Sequence, residues 1–372
     1  MKIIHLIPFY PPHIGGMEKI TKNYCDYQSN LGHEVIVLTS KIDTNNESTK
    51  KYITECNPKI HYLKTITGKG TFPIFFPSLF FNLLKYVDKN TIVHIHCATA
   101  FDGDFVPIIS KLLGFKTIMH IHLDPTHHVP IKSLLINIYK QITWRTSFLF
   151  TDRIVCPTNA YFEIISKYGI NRKKCVAIHN GIKLENSNYK DTTKFPNELL
   201  YVGRLAKEKN ISRLLDAFKV VQKKYKSINL HIVGDGEKMQ DVITKIKNEN
   251  IKNVIIHGSI LHGKITDVYN KCDIFISPSD SESFGNTLLE AMNFGLPIVA
   301  TDIPAYREVL GTAGILAKPT PEDFAKNIIH LIENETYRLE IVSQERERIK
   351  EFDIDNTNLK IMNLYRSLQQ NI

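Results

Sequence analysis

The stretch SPSDSESFGNTLLEAMNFGLPIVATD, residues 277–302, sets the architecture. It leaves an apolar strand at its start, crosses a loop of small and polar residues, enters a helix that stops at Gly295 and Pro297, and resumes as the strand PIVATD. Strand, loop, helix and strand in that order make the unit from which parallel sheets are wound. The loop follows the carboxyl end of its strand, which is where open α/β sheets bind ligands. Glu282 stands in the loop and Glu290 about one turn into the helix. The helix start between them has unpaired backbone N–H groups and the positive end of the macrodipole, so it suits an anion. Glu290 leans back toward that start. A carboxylate there suits sugar hydroxyls better than phosphate. Taken alone, two acids at this spacing equally describe ordinary surface glutamates.

The same alternation surrounds this unit. LLYVGR (199–204), a helix from about 210 to 225, INLHIVGDG (228–236), VIIHGSI (254–260), DIFISPS (273–279) and AGILA (313–317) form one series. Arg204 and Lys209 fall in VGRLAKEKN between a strand end and the next helix, a planar fork and a point charge suited to two phosphates. On this segment alone they read equally well as ion-paired surface cations. An earlier series holds KIIHLIP (2–8), a helix over 17–31 closed by Gly32, HEVIVLTS (33–40), IVHIH (92–96), a helix near 105–113 closed by Gly114, KTIMHIH (116–122) and RIVCPT (153–158). Between the series lies the polar, Pro-containing KLENSNYKDTTKFPNE (183–198), read as a linker. The expected fold is therefore α/β, two tandem doubly wound Rossmann-like domains at 1–185 and 195–350 with a cleft between them. Charged helices follow at 321–335 and 338–370, the last of them, about 355–372, returning to the first domain.

Composition narrows the class. The chain has 372 residues, 43% hydrophobic and 23% charged, ordinary values for a soluble protein of two domains. Residues 1–190 carry 23 Lys and Arg against 13 Asp and Glu, while residues 191–372 carry 24 against 25, so the basic excess lies in the first half. Such a field favours anionic partners, whether nucleic acid, anionic lipid or phosphorylated substrate. Six scattered cysteines without a CxxC pair suggest reduced thiols. No apolar run is long enough for a membrane span and MKIIHLIPFYPP lacks a cleavage site, so a cytoplasmic protein is expected. TFPIFFPSLFFNLLKYVDK (71–89), flanked by Lys64, Lys69, Lys85 and Lys89, reads either as a buried helix or as an interfacial segment. His94 and His96 share a strand face, as do His120 and His122, with His127 and His128 close behind. Zinc would suit such residues, but packed or hydrogen-bonded histidines are the preferred reading, and no metal is expected. Asp102 and Asp104 mimic a DxD metal motif but precede a helix, where Asp serves as an N-cap.

The ordered set HIGGMEK (13–19), HNGI (179–182), GRLAKEKN, VGDGE (233–237) and SESFGNTLLEA resembles the family 4 retaining glycosyltransferases of the GT-B fold, of the kind found in bacterial surface polysaccharide synthesis. The resemblance implies transfer of a hexose-type sugar from a nucleotide-diphosphate donor, a UDP-sugar as first choice. Arg204 and Lys209 would hold the diphosphate without a metal or other cofactor. Glu290 would bind the ribose and Glu282 the transferred sugar. Gly203, Phe284, Gly285, Asn286 and Thr287 would line the donor, with Ile260 toward the base. Gly15 and Gly16 would let backbone approach the diphosphate, with Glu18 opening the helix behind them. His122, with His120 second, would lie beside the transferred sugar. No nucleophile is evident, so front-face attack is expected, with catalysis from positioning and leaving-group stabilisation. Acceptors in this family bind the first domain. Its basic charge points to a lipid-linked or oligosaccharide acceptor and to peripheral contact with the cytoplasmic membrane face. An epimerase of the same fold, acting on a nucleotide sugar without acceptor, is the alternative. A nucleic-acid binder is disfavoured for want of recognition motifs.

Overall fold

Runs such as KIIHL, EVIVLTS and TIVHIHC are buried on both faces, the pattern of strands covered from both sides. The computed structural model describes residues 1–13, 15–40, 58–64, 77–97, 102–122, 130–184, 195–260 and 262–370. It divides into one unit of Met1–Gly181 with Asp355–Ile372 and another of Ile182–Ile354.

In the first unit the chain runs β1 (Lys2–Leu6), α1 (Gly16–Asn30), β2 (Glu34–Ser40), β3 (Lys59–Leu63), α2 (Ser78–Tyr86), β4 (Thr91–Cys97), α3 (Val106–Leu113), β5 (Lys116–Ile121), α4 (Pro130–Tyr139), α5 (Arg145–Phe150), β6 (Arg153–Cys156), α6 (Asn159–Ser166) and β7 (Cys175–Ala177). The strands form one parallel sheet in the order β3-β2-β1-β4-β5-β6-β7. Winding reverses between β1 and β4, so their carboxyl ends flank a switch point. Ile4, Leu6, Val93, Ile95 and Met119 point to one face, against Leu79, Leu83, Val106, Trp144 and Phe148. Ile3, Ile92 and Ile118 point to the other, against Ile20 and Tyr24 of α1.

The second unit runs β8 (Glu198–Val202), α7 (Ile211–Lys224), β9 (Asn229–Val233), α8 (Met239–Asn248), β10 (Val254–Gly258), α9 (His262–Lys271), β11 (Ile274–Ser277), α10 (Asn286–Asn293), β12 (Ile298–Thr301), α11 (Pro304–Leu310), β13 (Ile315–Ala317), α12 (Pro321–Glu333) and α13 (Glu335–Ile349). Its parallel sheet has the order β10-β9-β8-β11-β12-β13, with the reversal between β8 and β11. Leu199 and Tyr201 pack toward α7 and α12, and Leu200 and Phe275 toward α10 and α11. Each such buried side chain contributes roughly 1.5–3 kcal/mol. The final helix, α14 (Ile354–Gln369), packs Ile361, Met362 and Tyr365 on the first sheet beside α1.

Several elements depart from expectation. The strand β3 is absent from the sequence reading because KIHYL is a half-exposed edge strand without the strong apolar run of its neighbours. The helical stretch expected over 338–370 is helical as two elements, α13 and α14, separated by a short turn at Lys350–Phe352. Asp102 and Asp104 are not helix caps. The N-cap of α3 is Phe105, without a side-chain bond. Asp104 is instead buried, accepting from Tyr139 Oη at 2.8 Å and Trp144 Nε1 at 3.0 Å, a structural tie. Most of the linker stretch, residues 71–76 of the aromatic segment, His127, His128 and Leu261 lie outside the described residues.

Candidate active site

The reversal between β8 and β11 brings two loops together, 203–210 after β8 and 278–285 after β11. The Asp280 N–H donates to the Glu208 carbonyl at 2.8 Å, Asn210 Nδ2 donates to Asp280 Oδ2 at 2.9 Å, and Arg213 Nη1 to the Pro278 carbonyl at 2.8 Å. Sewn in this way, the loops set Lys209 Nζ against Glu282 Oε1 in a close, half-buried ion pair. The same carboxylate oxygen accepts from Ser279 Oγ and Tyr306 Oη, both at 3.2 Å. Arg204 is exposed and ion-paired with Glu208 at 2.7 Å.

The charges at this edge act on one another. Burial works to raise the Glu208 carboxyl, but its backbone N–H, Arg204 and Lys209 outweigh it and hold the group below its ordinary value. The Tyr201 phenol is pushed up, first by burial and then by the carboxylates of Glu282 and Glu208. Tyr306 is raised by burial and by Glu282. Three carboxylate or cationic neighbours therefore converge around Tyr201, whose hydroxyl donates to the Arg204 carbonyl at 3.1 Å.

The helix start beside them has one backbone demand. Gly285, the N-cap of α10, has φ +106°, and a Cβ there would lie 2.7 Å from the Tyr306 ring. The first turn, Asn286 and Thr287, is half-buried, whereas Phe284 is buried in the core, with its ring against Phe352, so only its backbone can meet a ligand. Glu290 accepts from Tyr269 Oη at 3.0 Å, and Ile260 packs against the α10 core. The structure thus joins Lys209 with Glu282 and ties Arg204 to the same loop through Glu208, while Glu290 takes a tyrosine partner of its own. Tyr201, Tyr306, Glu208 and Asp280 were not singled out from sequence. The only available signal was their position at strand and loop ends.

In the first unit Gly15 caps α1 and Gly16 begins it. A side chain at Gly15 would collide with the Glu18 carboxylate, which folds back on the helix start and accepts from His13 Nδ1 at 2.9 Å. Glycine at this position leaves room for that carboxylate. His122 directly follows β5 at 9% exposure, its Nε2 2.9 Å from Nδ1 of His96. His96 belongs to a stack of five imidazoles on the α1 face of the sheet, with His5, His94 and His120. Nε2 of His96 lies 2.9 Å from Nδ1 of His5, and Nε2 of His94 lies 3.3 Å from Nδ1 of His120. Burial lowers every one of them, His5 to about 4 and His122 to about 3, and neighbouring imidazoles push His94, His96 and His120 down further. His5 was not singled out from sequence, since one histidine in KIIHL reads as a core residue.

Comparison with known proteins places this arrangement. The family description "Glycosyltransferase Family 4" matches residues 14–186, and "Glycosyl transferases group 1" matches residues 185–351. The gpi3 subunit of phosphatidylinositol N-acetylglucosaminyltransferase from Schizosaccharomyces pombe is 24% identical over 95% of this chain and 81% of its own. An uncharacterised 41.2 kDa protein from the cps region of Klebsiella pneumoniae is 26% identical over 74% of this chain and 77% of its own. Anabaena HepE, solved with UDP-glucose, superposes with a TM-score of 0.76 at 18% identity, covering 99% of this chain and 100% of that one. With two doubly wound parallel sheets of the GT-B fold and both halves matched in order, the chain belongs to the family 4 glycosyltransferases.

Proposed function

We propose that this glycosyltransferase is a retaining enzyme that moves a hexose-type sugar from a UDP-sugar to a lipid-linked or oligosaccharide acceptor in surface polysaccharide assembly, without a metal or other cofactor. The observation that carries the proposal is the cationic pair Arg204 and Lys209, held with Glu282 at the switch point of the second sheet beside the start of α10. HepE, with its UDP-glucose, supports the donor class, the phosphatidylinositol acceptor in the gpi3 name supports a lipid acceptor, and the cps-region relative supports polysaccharide.

In the proposed reaction the bond between the anomeric carbon and the β-phosphate oxygen breaks, and its electron pair leaves with the diphosphate. The acceptor hydroxyl bonds the anomeric carbon on the same face and passes its proton to the departing phosphate oxygen. Lys209, Arg204 and the first-turn N–H groups of α10 stabilise the growing phosphate charge, the task a metal performs elsewhere. When donor binds, Lys209 exchanges part of its bond to Glu282 for phosphate, and Glu282, still held by Ser279 and Tyr306, faces the sugar hydroxyls. Glu290 takes the ribose, the 284–287 backbone with Gly203 lines the donor, Ile260 faces the base, Gly15 and Gly16 offer backbone to phosphate, and His122 meets a sugar hydroxyl.

No described helix is long and apolar enough to cross a membrane. Support for membrane contact comes from the first unit, where Phe81, Leu112, Leu134, Ile142 and Leu149 are 60% or more exposed in the basic half of the chain. The test incubates the protein with UDP-sugars, with and without a polyprenyl-phosphate sugar acceptor, and follows product stereochemistry. Acceptor-dependent transfer with retained configuration and chelator resistance is expected. Conversion of donor alone to a second nucleotide sugar would establish the epimerase reading instead.

A further inference from the structure

We infer that Gln28 sets the tautomer of His122 through a single directed hydrogen-bonded chain of buried imidazoles, and is therefore a positioning residue for that ring. The inference rests on the proposed role of His122 and extends it to the kind of group His122 can recognise. All five imidazoles are neutral, since burial lowers each of them, so each has one ring proton and one bare nitrogen.

The direction follows from the Gln28 amide. Its Oε1 lies 2.8 Å from Nε2 of His5, and an oxygen only accepts, so that nitrogen holds the proton. Nδ1 of His5 is then bare and accepts from Nε2 of His96 at 2.9 Å. Nδ1 of His96 in turn accepts from Nε2 of His122 at 2.9 Å. Thr21 Oγ1 lies 2.9 Å from the Met17 carbonyl and 3.2 Å from that same nitrogen, and its one proton, turned toward either acceptor, leaves Nδ1 of His96 bare. On the other side, Gln28 Nε2 donates to the Tyr365 oxygen at 3.5 Å, and Tyr365 donates to Nδ1 of His94 at 2.5 Å. That short length belongs to an O–H donor rather than an N–H one. Nε2 of His94 then donates to Nδ1 of His120 at 3.3 Å, and the chain ends at His120 Nε2, which has no partner among the described residues.

Every ring therefore carries its proton on Nε2: the Gln28 amide oxygen fixes His5, His96 and His122, and the Tyr365 hydroxyl fixes His94 and His120. His5, His94, His96 and His120 are fully buried, and His122 alone retains exposure, its Nδ1 unbonded among the described residues. A bare imidazole nitrogen accepts and cannot donate. What His122 recognises must therefore be a donor such as a sugar hydroxyl, never a phosphate or carboxylate oxygen.

The test is a long-range ¹H–¹⁵N correlation of the imidazoles in the full chain labelled with ¹⁵N-histidine, recorded without substrate. Wild type should show all five protons on Nε2. Tyr365→Phe should release His94 and His120 from a single tautomer and leave His5, His96 and His122 unchanged. Gln28→Met should release His122 as well, with kcat/KM for transfer falling roughly tenfold. If Gln28→Met does not fold, the wild-type spectrum decides, because the chain requires the His122 proton on Nε2. A proton on Nδ1 of His122, mixed tautomers in wild type, or an unmoved His122 in folded Gln28→Met would overturn the inference. So would one equivalent of zinc shifting His96, His120 and His122, whose ligand atoms lie within 4.8 Å of one another. Lack of transfer in wild type would break the proposed function and leave these spectra interpretable.

Discussion

At the switch point of the first sheet the nearby side chains are imidazoles held neutral by burial, with His122 at their open end. At the switch point of the second they are charged and half-buried or exposed, Lys209 against Glu282 and Arg204 against Glu208. The strands differ in the same way. β4 places His94 and His96 on the face covered by α1, whereas β8 and β11 hand their chemistry to the loops beyond their ends. One sheet design thus carries two kinds of chemistry. In the proposed reaction a hydroxyl meets a fixed neutral acceptor, and a phosphate meets cations that loops present to water.

The sharpest way to break this contrast is to remove the charge from the second unit. Lys209→Ala should lower kcat by roughly 10²- to 10³-fold, the loss expected for one stabiliser of a developing anion. Steady-state transfer assays would show it, and a fall below tenfold would move the leaving-group role elsewhere.

Acid separates the units next. A buried histidine with a lowered pKa takes up its proton first in the unfolded chain, so its contribution is complete above pH 6.5 and is lost as pH falls toward the folded value. For His5 that window runs from 6.5 to about 4 and is worth about 3 kcal/mol. His122 extends the window toward 3. In the second unit the buried Glu345 carboxyl, raised by burial, works in the opposite sense, because stability there falls as pH rises above 4.5. Hydrogen exchange measured from pH 7 to pH 4.5 should therefore show protection lost in β1, β4 and β5 before β8 and β11. Simultaneous loss would remove the distinction.

Much of this was legible in the sequence because strand and helix periodicities differ so clearly. The loops carrying Arg204, Lys209 and Glu282 could be placed at strand ends from residue types alone. The histidine chain could not. Gln28 and Tyr365 are 337 positions apart and meet only because α14 returns to the first sheet beside α1. His5 gives no signal in an apolar strand, and no periodicity reports that Asp104 is buried under Trp144 and Tyr139. Partners of this kind are set by topology.

Smaller effects refine the second unit. Gly285→Ala forces a positive φ on a residue with a Cβ against Tyr306 and should cost about 1–3 kcal/mol in thermal or urea unfolding. Tyr269→Phe removes one hydrogen bond to Glu290 and should weaken donor binding by less than tenfold.

The most direct measurement is calorimetric titration of UDP into wild type, Lys209→Ala and His122→Ala. If the second unit carries the diphosphate site, wild type binds UDP, Lys209→Ala loses at least tenfold in affinity, and His122→Ala binds as wild type does. UDP affinity unchanged by Lys209→Ala, or abolished by His122→Ala, would contradict it.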